Sequence, residues 1–430
     1  MQLVAYGAQD IYLTGTPMIT FFKVVYRRHT NFAMESIQQT LNGTVGWGNK
    51  VTCLISRNGD LLSGLTLEAT LPAAQNADSG AGTDRWIDGI GHYIIDEVSV
   101  EIGGQQIDKH YGDWLEIWAQ LTVPAGKEAG YREMIGQLPS GGSDTSASVQ
   151  QRREDTEEKV IYVPLQFWFC RNVGLALPLI ALQYHEVKVN LTFAAATNKR
   201  FNQAGEIATV GASLATASIW ADYIYLDTDE RRRFAQVSHE YLIEQVQRQT
   251  FTGTDATAVA HTLNFNHPVK ELVWVTRGAN NHGNNYTNRL SVTDDVDARP
   301  GLIQLDTADG GVAESAVITN LAVGCTASAI LKLNGHQRFA SRGFGHFNLE
   351  QTFRHHTNVP VSPGVYVYSF ALKPEEHQPS GTCNFSRIDN AQLEVTYVTS
   401  AVGTLATQVY AVNYNVLRIM SGMGGLAYSN

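Results

Sequence analysis

Four cysteines in 430 residues, none in a CxxC pair, exclude a zinc knuckle and a dithiol redox motif. Cys53, Cys170, Cys325 and Cys383 read instead as buried free thiols. Charge is also sparse, at 17%, and it leans acidic: 31 Lys+Arg stand against 41 Asp+Glu, with no basic block. Direct nucleic-acid binding works through phosphate neutralisation and has no footprint here. The longest apolar run, Val173 to Leu182, is interrupted by Pro178 and reaches only about half of the roughly 20 residues a membrane-spanning helix needs. The first ten residues carry neither a cationic nor an apolar signal region, so a chain made and kept in the cytosol is expected. Catalytic signatures are missing as well. There is no GxSxG, no HExxH and no HxH, HxD or HxE grouping of the kind a metal-binding cupin uses, so no enzyme, cofactor or metal is expected.

What the chain does have is apolar–polar alternation, whose period of two marks half-buried strands. Leu65 to Leu71, Val98 to Ile102, Val187 to Phe193 and Leu393 to Tyr397 are the clearest cases. Asn58-Gly59 and Gly103-Gly104 read as hairpin turns, because a type I′ turn needs φ > 0 at both central residues. Helices are few: one over Tyr111 to Leu121 with Asp113 as N-cap, another over Asp227 to Gln236. An apolar content of 43% excludes disorder, and the length suits two large β domains.

A weak internal duplication sharpens this reading. Val98 to Asp108 aligns with Ala329 to Phe339, each a strand, a Gly turn and a Gln. Later in each half come a Tyr/Val/Phe-rich strand (Tyr162 to Phe169; Val365 to Ala371) and an alternating strand (Glu186 to Phe193; Gln392 to Tyr397). Each half closes on an aromatic strand (Trp220 to Leu226; Val409 to Leu417). The predicted fold is all-β: two tandem antiparallel sandwiches, a jelly roll being favoured, with a few short helices in loops. Pro139 to Lys159 and the Asn/Asp-rich Gly278 to Gly311 are expected to be long surface loops.

The remaining motifs have ordinary readings. His355-His356 is expected to be a solvated loop pair, and His185-Glu186 and His239-Glu240 diverge if they lie in strands. Asp229-Glu230 and Glu375-Glu376 read as solvated faces. Gly422 to Ala427 matches the dinucleotide pattern GxGxxA, but no helix follows, so a flexible tail is expected. Sequons at Asn42, Asn190, Asn285 and Asn384 are glycosylation candidates; Asn285 is the most accessible by position, and Asn190 falls in a strand.

Several longer stretches carry a family resemblance. Tyr6 to Gly15, Ile19 to Phe32 and Ser56 to Asp60 resemble the opening of the major capsid proteins of large icosahedral DNA viruses. Leu175 to Val187, Pro379 to Ala391 and Asn413 to Tyr428 are similar to later signatures of that family, closest to its algal, phycodnavirus-like members. The resemblance spans nearly the whole chain except the two long loops. It implies two eight-stranded jelly rolls side by side, three chains forming a homotrimeric, pseudo-hexagonal capsomer that tiles the shell beside neighbouring capsomers. It also implies outer loops bearing glycans or meeting the host surface, and an N-terminal segment near minor capsid proteins and an internal membrane. Carried to this chain, residues 1–21 are an arm, 22–228 the first jelly roll, 229–239 a linker and 240–430 the second. Assembly in the host cytoplasm is implied too, with Arg27-Arg28 and Arg231 to Arg233 expected to pair with carboxylates of neighbouring chains.

A lectin-like, carbohydrate-binding sandwich is the alternative, with Gly278 to Gly311 as its candidate site.

Overall fold

Alternation becomes strand where the sequence shows it most plainly. Val187, Val189, Leu191 and Phe193 are buried, while Lys188, Asn190 and Thr192 between them are half-exposed. The computed structural model describes residues 7–17, 26, 28–73, 85–87, 89–136, 158–196, 200–201, 207–208, 214, 216–252, 258–278, 326–360, 364–397 and 405–428. Among these, sixteen strands build two sandwiches. In the first they are β1 (Phe32–Gln39), β2 (Lys50–Leu54), β3 (Leu61–Leu71), β4 (Ile95–Ile102), β5 (Gln105–Tyr111), β6 (Lys159–Pro164), β7 (Val187–Phe193) and β8 (Thr216–Leu226). In the second they are β9 (His239–Thr252), β10 (Ala258–Leu263), β11 (Pro268–Gly278), β12 (Thr326–Leu333), β13 (His336–Gln337), β14 (Val365–Ser369), β15 (Ala391–Tyr397) and β16 (Leu405–Met420).

The duplication holds in strand order for these sixteen strands, while short strands such as Leu41–Asn42 and Met423–Leu426 extend single sheets. The first sandwich pairs β1-β8-β3-β6 in one sheet and β2-β7-β4-β5 in the other; the second pairs β9-β16-β11-β14 and β10-β15-β12-β13, all antiparallel. Each strand of one half thus has its counterpart eight strands later. This is a double jelly roll. The Gly103-Gly104 hairpin forms as expected, with φ of 58° and 87°, and Asn334-Gly335 repeats it at 51° and 76° in the second half.

Asn58-Gly59 does not form a hairpin. β2 and β3 lie in different sheets, so this segment is a crossover. Its glycine serves a close approach: a Cβ there would sit 2.6 Å from Tyr223 Cβ. The strand expected to run to Phe169 ends at Pro164, and Trp168–Arg171 forms a helical turn whose Phe167, Trp168 and Phe169 fill the first core.

The helices are short and lie in the connections between strands. Besides a single turn before β1, Ile11–Thr14, they are α1 (Ile90–Tyr93), α2 (Gly112–Thr122), α3 (Ala125–Met134), α4 (Trp168–Arg171) and α5 (Thr228–Gln236). A further one, α6 (Gln351–His355), continues a π-helical turn, His346–Glu350. The N-cap of α2 is Tyr111, not Asp113, which sits in the first turn, where its charge favours the helix dipole. The helix expected over Asp227 to Gln236 forms as α5, with Asp227 as its N-cap, accepting from the Thr228 N–H. The Gly422 to Ala427 segment is not a free tail: Met423–Leu426 pairs with β16 through Met420↔Met423. No helix of the described residues is long and apolar enough to cross a membrane. Apart from their ends, Pro139 to Lys159 and Gly278 to Gly311 lie outside the described residues, as do Arg27, Asn285 and Cys325.

Candidate functional site: the junction between the sandwiches and the outer surfaces

In α2, Trp114, Ile117, Trp118 and Leu121 recur at helical spacing and form one apolar stripe. That stripe leaves its own sandwich and lies on the outer face of the second, against Val246, Val273, Val275, Val365, Val367, Tyr410 and Val412. The strands beneath it are therefore buried on both faces, so burial is continuous along residues 269–276 of β11 and 409–415 of β16 while it alternates along β3 and β7. Burying each of these helix side chains contributes about 1.5–3 kcal/mol. The Arg248 guanidinium lies 3.5 Å from the Tyr111 ring centroid, a cation–π contact across the junction.

Below the helix runs a chain of buried charges. Arg171 of α4 reaches Glu244 at 2.8 Å, and Lys270 reaches the same carboxylate at 2.8 Å. Next to Lys270, Glu271 lies 3.0 Å from His356 Nε2, and His356 Nδ1 meets Glu375 at 2.9 Å. Three cations thus balance three carboxylates. Burial alone would lower the His356 pKa, but Glu271 and Glu375 overcome it and hold it up at about 9. Burial opposes ionisation of Glu271 too, yet His356 and Lys270 hold its pKa below the usual range. Lys270 stays depressed by burial despite Glu244 and Glu271. His355-His356 is therefore not a solvated pair: His356 is buried and ion-paired, and its partner Glu375 belongs to the same chain of charges. Of these pairs only Arg171–Glu244 crosses between the sandwiches; the others tie together strands and loops of the second.

Edge strands close the junction elsewhere. Asp108 of β5 accepts from the Val246 N–H of β9 at 3.1 Å, and Gln245 donates its side-chain amide to the Ile107 carbonyl. At one end Tyr184 N–H donates to Gly422 O at 3.0 Å, and Gly424 N–H donates to His185 Nδ1 at 3.1 Å. His185 is thus a packing residue that also rests over Gly103. In the other His-Glu pair, His239 bonds Phe234 O at 2.8 Å while Glu240 pairs with Arg418, so no acid–base couple forms.

The outer surfaces hold the remaining sequence candidates. Asn42 and Asn384 are exposed in short strands. Asn190 is tied into β7, donating to Glu101 and accepting from Thr52, both at 2.9 Å. Arg231, expected to reach a neighbouring chain, instead pairs with the buried Asp60 of its own chain at 3.0 Å. Arg28 is exposed. Cys53, Cys170 and Cys383 are free; Cys53 is buried, and burial pushes its pKa to about 11 and that of Cys170 to about 12, so both stay protonated. Asp229 and Glu230 occupy the first turn of α5.

Sequence reasoning missed the function of α2 and the charge chain entirely. The 3–4 spacing of Trp114, Ile117, Trp118 and Leu121 signalled a buried face, but nothing in it names the surface that does the burying.

Comparison with known proteins matches this architecture throughout. The family model "Major capsid protein N-terminus" covers residues 20–227, and "Large eukaryotic DNA virus major capsid protein" covers 230–425. The major capsid protein of Pyramimonas orientalis virus is 50% identical over 100% of this chain and 99% of its own length. That of Phaeocystis pouchetii virus is 46% identical with the same coverage. Among solved structures, PBCV-1 VP54 aligns over 96% of this chain and 100% of its own, with 41% identity and a TM-score of 0.76. Faustovirus major capsid protein, at 16% identity and a TM-score of 0.73, shares the fold. Double jelly roll, internal duplication and these matches over its whole length together place the chain in the family of large eukaryotic DNA virus major capsid proteins.

Proposed function

We propose that the chain is the shell-building subunit of a large icosahedral DNA virus, three copies forming a pseudo-hexagonal capsomer that packs against like capsomers. The observation that carries this reading is the fusion of two matching jelly rolls through a junction with a buried apolar centre. Each chain then offers two near-equivalent blocks in fixed relation, and three chains offer six, the number that tiles a flat facet. Closed ring symmetry is the usual outcome for such homo-oligomers.

In this reading residues 22–228 and 240–430 are the two blocks, 229–239 the link carrying most of α5, and 1–21 an arm directed inward towards minor capsid proteins and an internal membrane. The exposed sequons Asn42 and Asn384 are the glycan sites the described surface supports, and the outer loops meet the host. Synthesis and assembly take place in the host cytoplasm, and the chain performs no catalysis.

Light scattering on the purified chain, with negative-stain images of the same fraction, tests the capsomer. A particle of three times 47.2 kDa with a six-lobed outline is expected. A monomer at every concentration removes the reading.

A further inference from the structure

The two sandwiches match strand for strand, yet their outer faces differ. In the second, the face built by β16, β11 and β14 is sealed by α2 of the first. In the first, the matching face built by β8, β3 and β6 is covered at one end, where Phe234 of α5 packs on Leu61 and Ile224, and open at the other: Val160 is 46% exposed and Tyr162 42%, where their counterparts on β14, Val365 and Val367, are fully buried. Met34, on the neighbouring edge strand β1, is 54% exposed.

The helical connections differ in the complementary way. α2 lies between β5 and β6; the π-turn and α6 lie at the equivalent place, between β13 and β14. α2 drives Trp114 and Trp118, four residues apart, into the second sandwich. The later helix turns Leu349 and Phe353, also four apart, to solvent, 52% and 79% exposed. Leu372 is likewise exposed, and its carbonyl lies 3.0 Å from Nδ1 of His355, the last residue of the same helix. One half has a sheet end without a helix, and the other a helix without a sheet. Both stay exposed, so within one chain they do not cover each other.

We infer that the Leu349/Phe353 face of one copy docks on the Val160/Tyr162 face of a second copy of this chain, repeating between chains the helix-on-sheet contact that α2 makes within one. This deepens the capsomer reading and rests on it. The occupant is set by the duplication: the apolar helix-on-sheet partnership that α2 makes links first to second, and its repeat links second to the next first. Such a head-to-tail contact adds units in one rotational sense, and a ring of six blocks uses every such face once. Arg354, paired with Glu350 of its own turn at 2.8 Å, flanks Phe353 with its side chain 63% exposed, and Glu68 lies directly across from Tyr162 in the β3–β6 register.

The test uses the full chain and reads mass against concentration by light scattering. Phe353→Glu and Tyr162→Lys each replace an exposed side chain, so thermal melting of the monomer serves as the folding control. Each variant alone is expected to weaken the trimer on the order of tenfold or more, the range for an aromatic at an interface centre. Combined, they set Glu against Lys across the contact and restore association. A wild-type trimer left intact by both single variants overturns this inference while the capsomer reading stands. A wild-type chain that never trimerises overturns both.

Discussion

The backbone N–H of Asn358, in the second sandwich, donates to the carbonyl of Leu121, in the first, at 3.0 Å. The same residue donates its side-chain amide to the carbonyl of Val123, so one block caps the C-terminus of a helix belonging to the other. Asn358→Ala keeps the first bond and loses the second. A cost of about 1 kcal/mol is expected, read as a lower urea midpoint. Amide exchange should quicken in the last turn of α2 and not in β15; unchanged exchange there would show that the cap does not hold the helix.

Trp118 packs in the apolar cluster on the second sandwich and receives the Arg171 guanidinium over its ring, 4.2 Å from the centroid. Trp118→Ala should cost about 3–5 kcal/mol, the range for an aromatic deleted from a packed core. The loss falls on the docking of the blocks. Calorimetry should therefore resolve two transitions in the variant where the parent gives one, and a single transition merely moved down would refute the assignment.

His356 sets an alkaline limit. Its pKa is near 9 in the folded chain against 6.5 for the free side chain, so it contributes about 3 kcal/mol in full below pH 6.5, and that contribution is lost as pH rises through 9. Glu271, whose pKa is lowered, acts in the other direction: its contribution is complete above about pH 4.5 and lost as pH falls. Unfolding measured from pH 6 to 10 should show the alkaline loss in the parent. His356→Gln should start lower and lack that slope; an identical slope would assign it to another group.

Two glycines give opposite expectations. A Cβ on Gly112, where α2 begins, would fall against the carbonyl oxygens of Ile95 and His92, both backbone atoms that cannot swing aside. Gly112→Ala should cost at least about 2 kcal/mol. Gly126, in α3, has nothing within 4 Å of its Cβ position. There the alanine should gain about 0.5–1 kcal/mol, because the helix loses a flexible residue. Melting curves of the two single variants decide both.

The halves of the fold were legible because their signals are local. Alternation at Val187 to Phe193 and Leu393 to Tyr397, and the paired turns Gly103-Gly104 and Asn334-Gly335, report on neighbouring residues alone. Asn58-Gly59 misled because a turn pair reports φ tolerance, and here the glycine answers instead to Tyr223, which is 164 positions away. His356 misled for the same reason. Its carboxylate partners come from β11 and from the segment after β14, and no spacing in the sequence brings Glu271, Glu375 and His356 together. What identified the chain was neither pattern but long matching stretches, which carry tertiary constraints that local physics does not expose.

The covering of the second sheet by α2 also has an order in time. A ribosome releases residues 112–122 before any strand of that sheet, so the valine-rich face of β11, β14 and β16 comes into being with its helix already waiting. An apolar sheet face made first and covered late would invite association between nascent chains, a hazard in a cell filling with identical copies. Placing the cover upstream of what it covers guards the chain during synthesis. A circular permutant that moved α2 to the C-terminus would keep every contact and lose that protection.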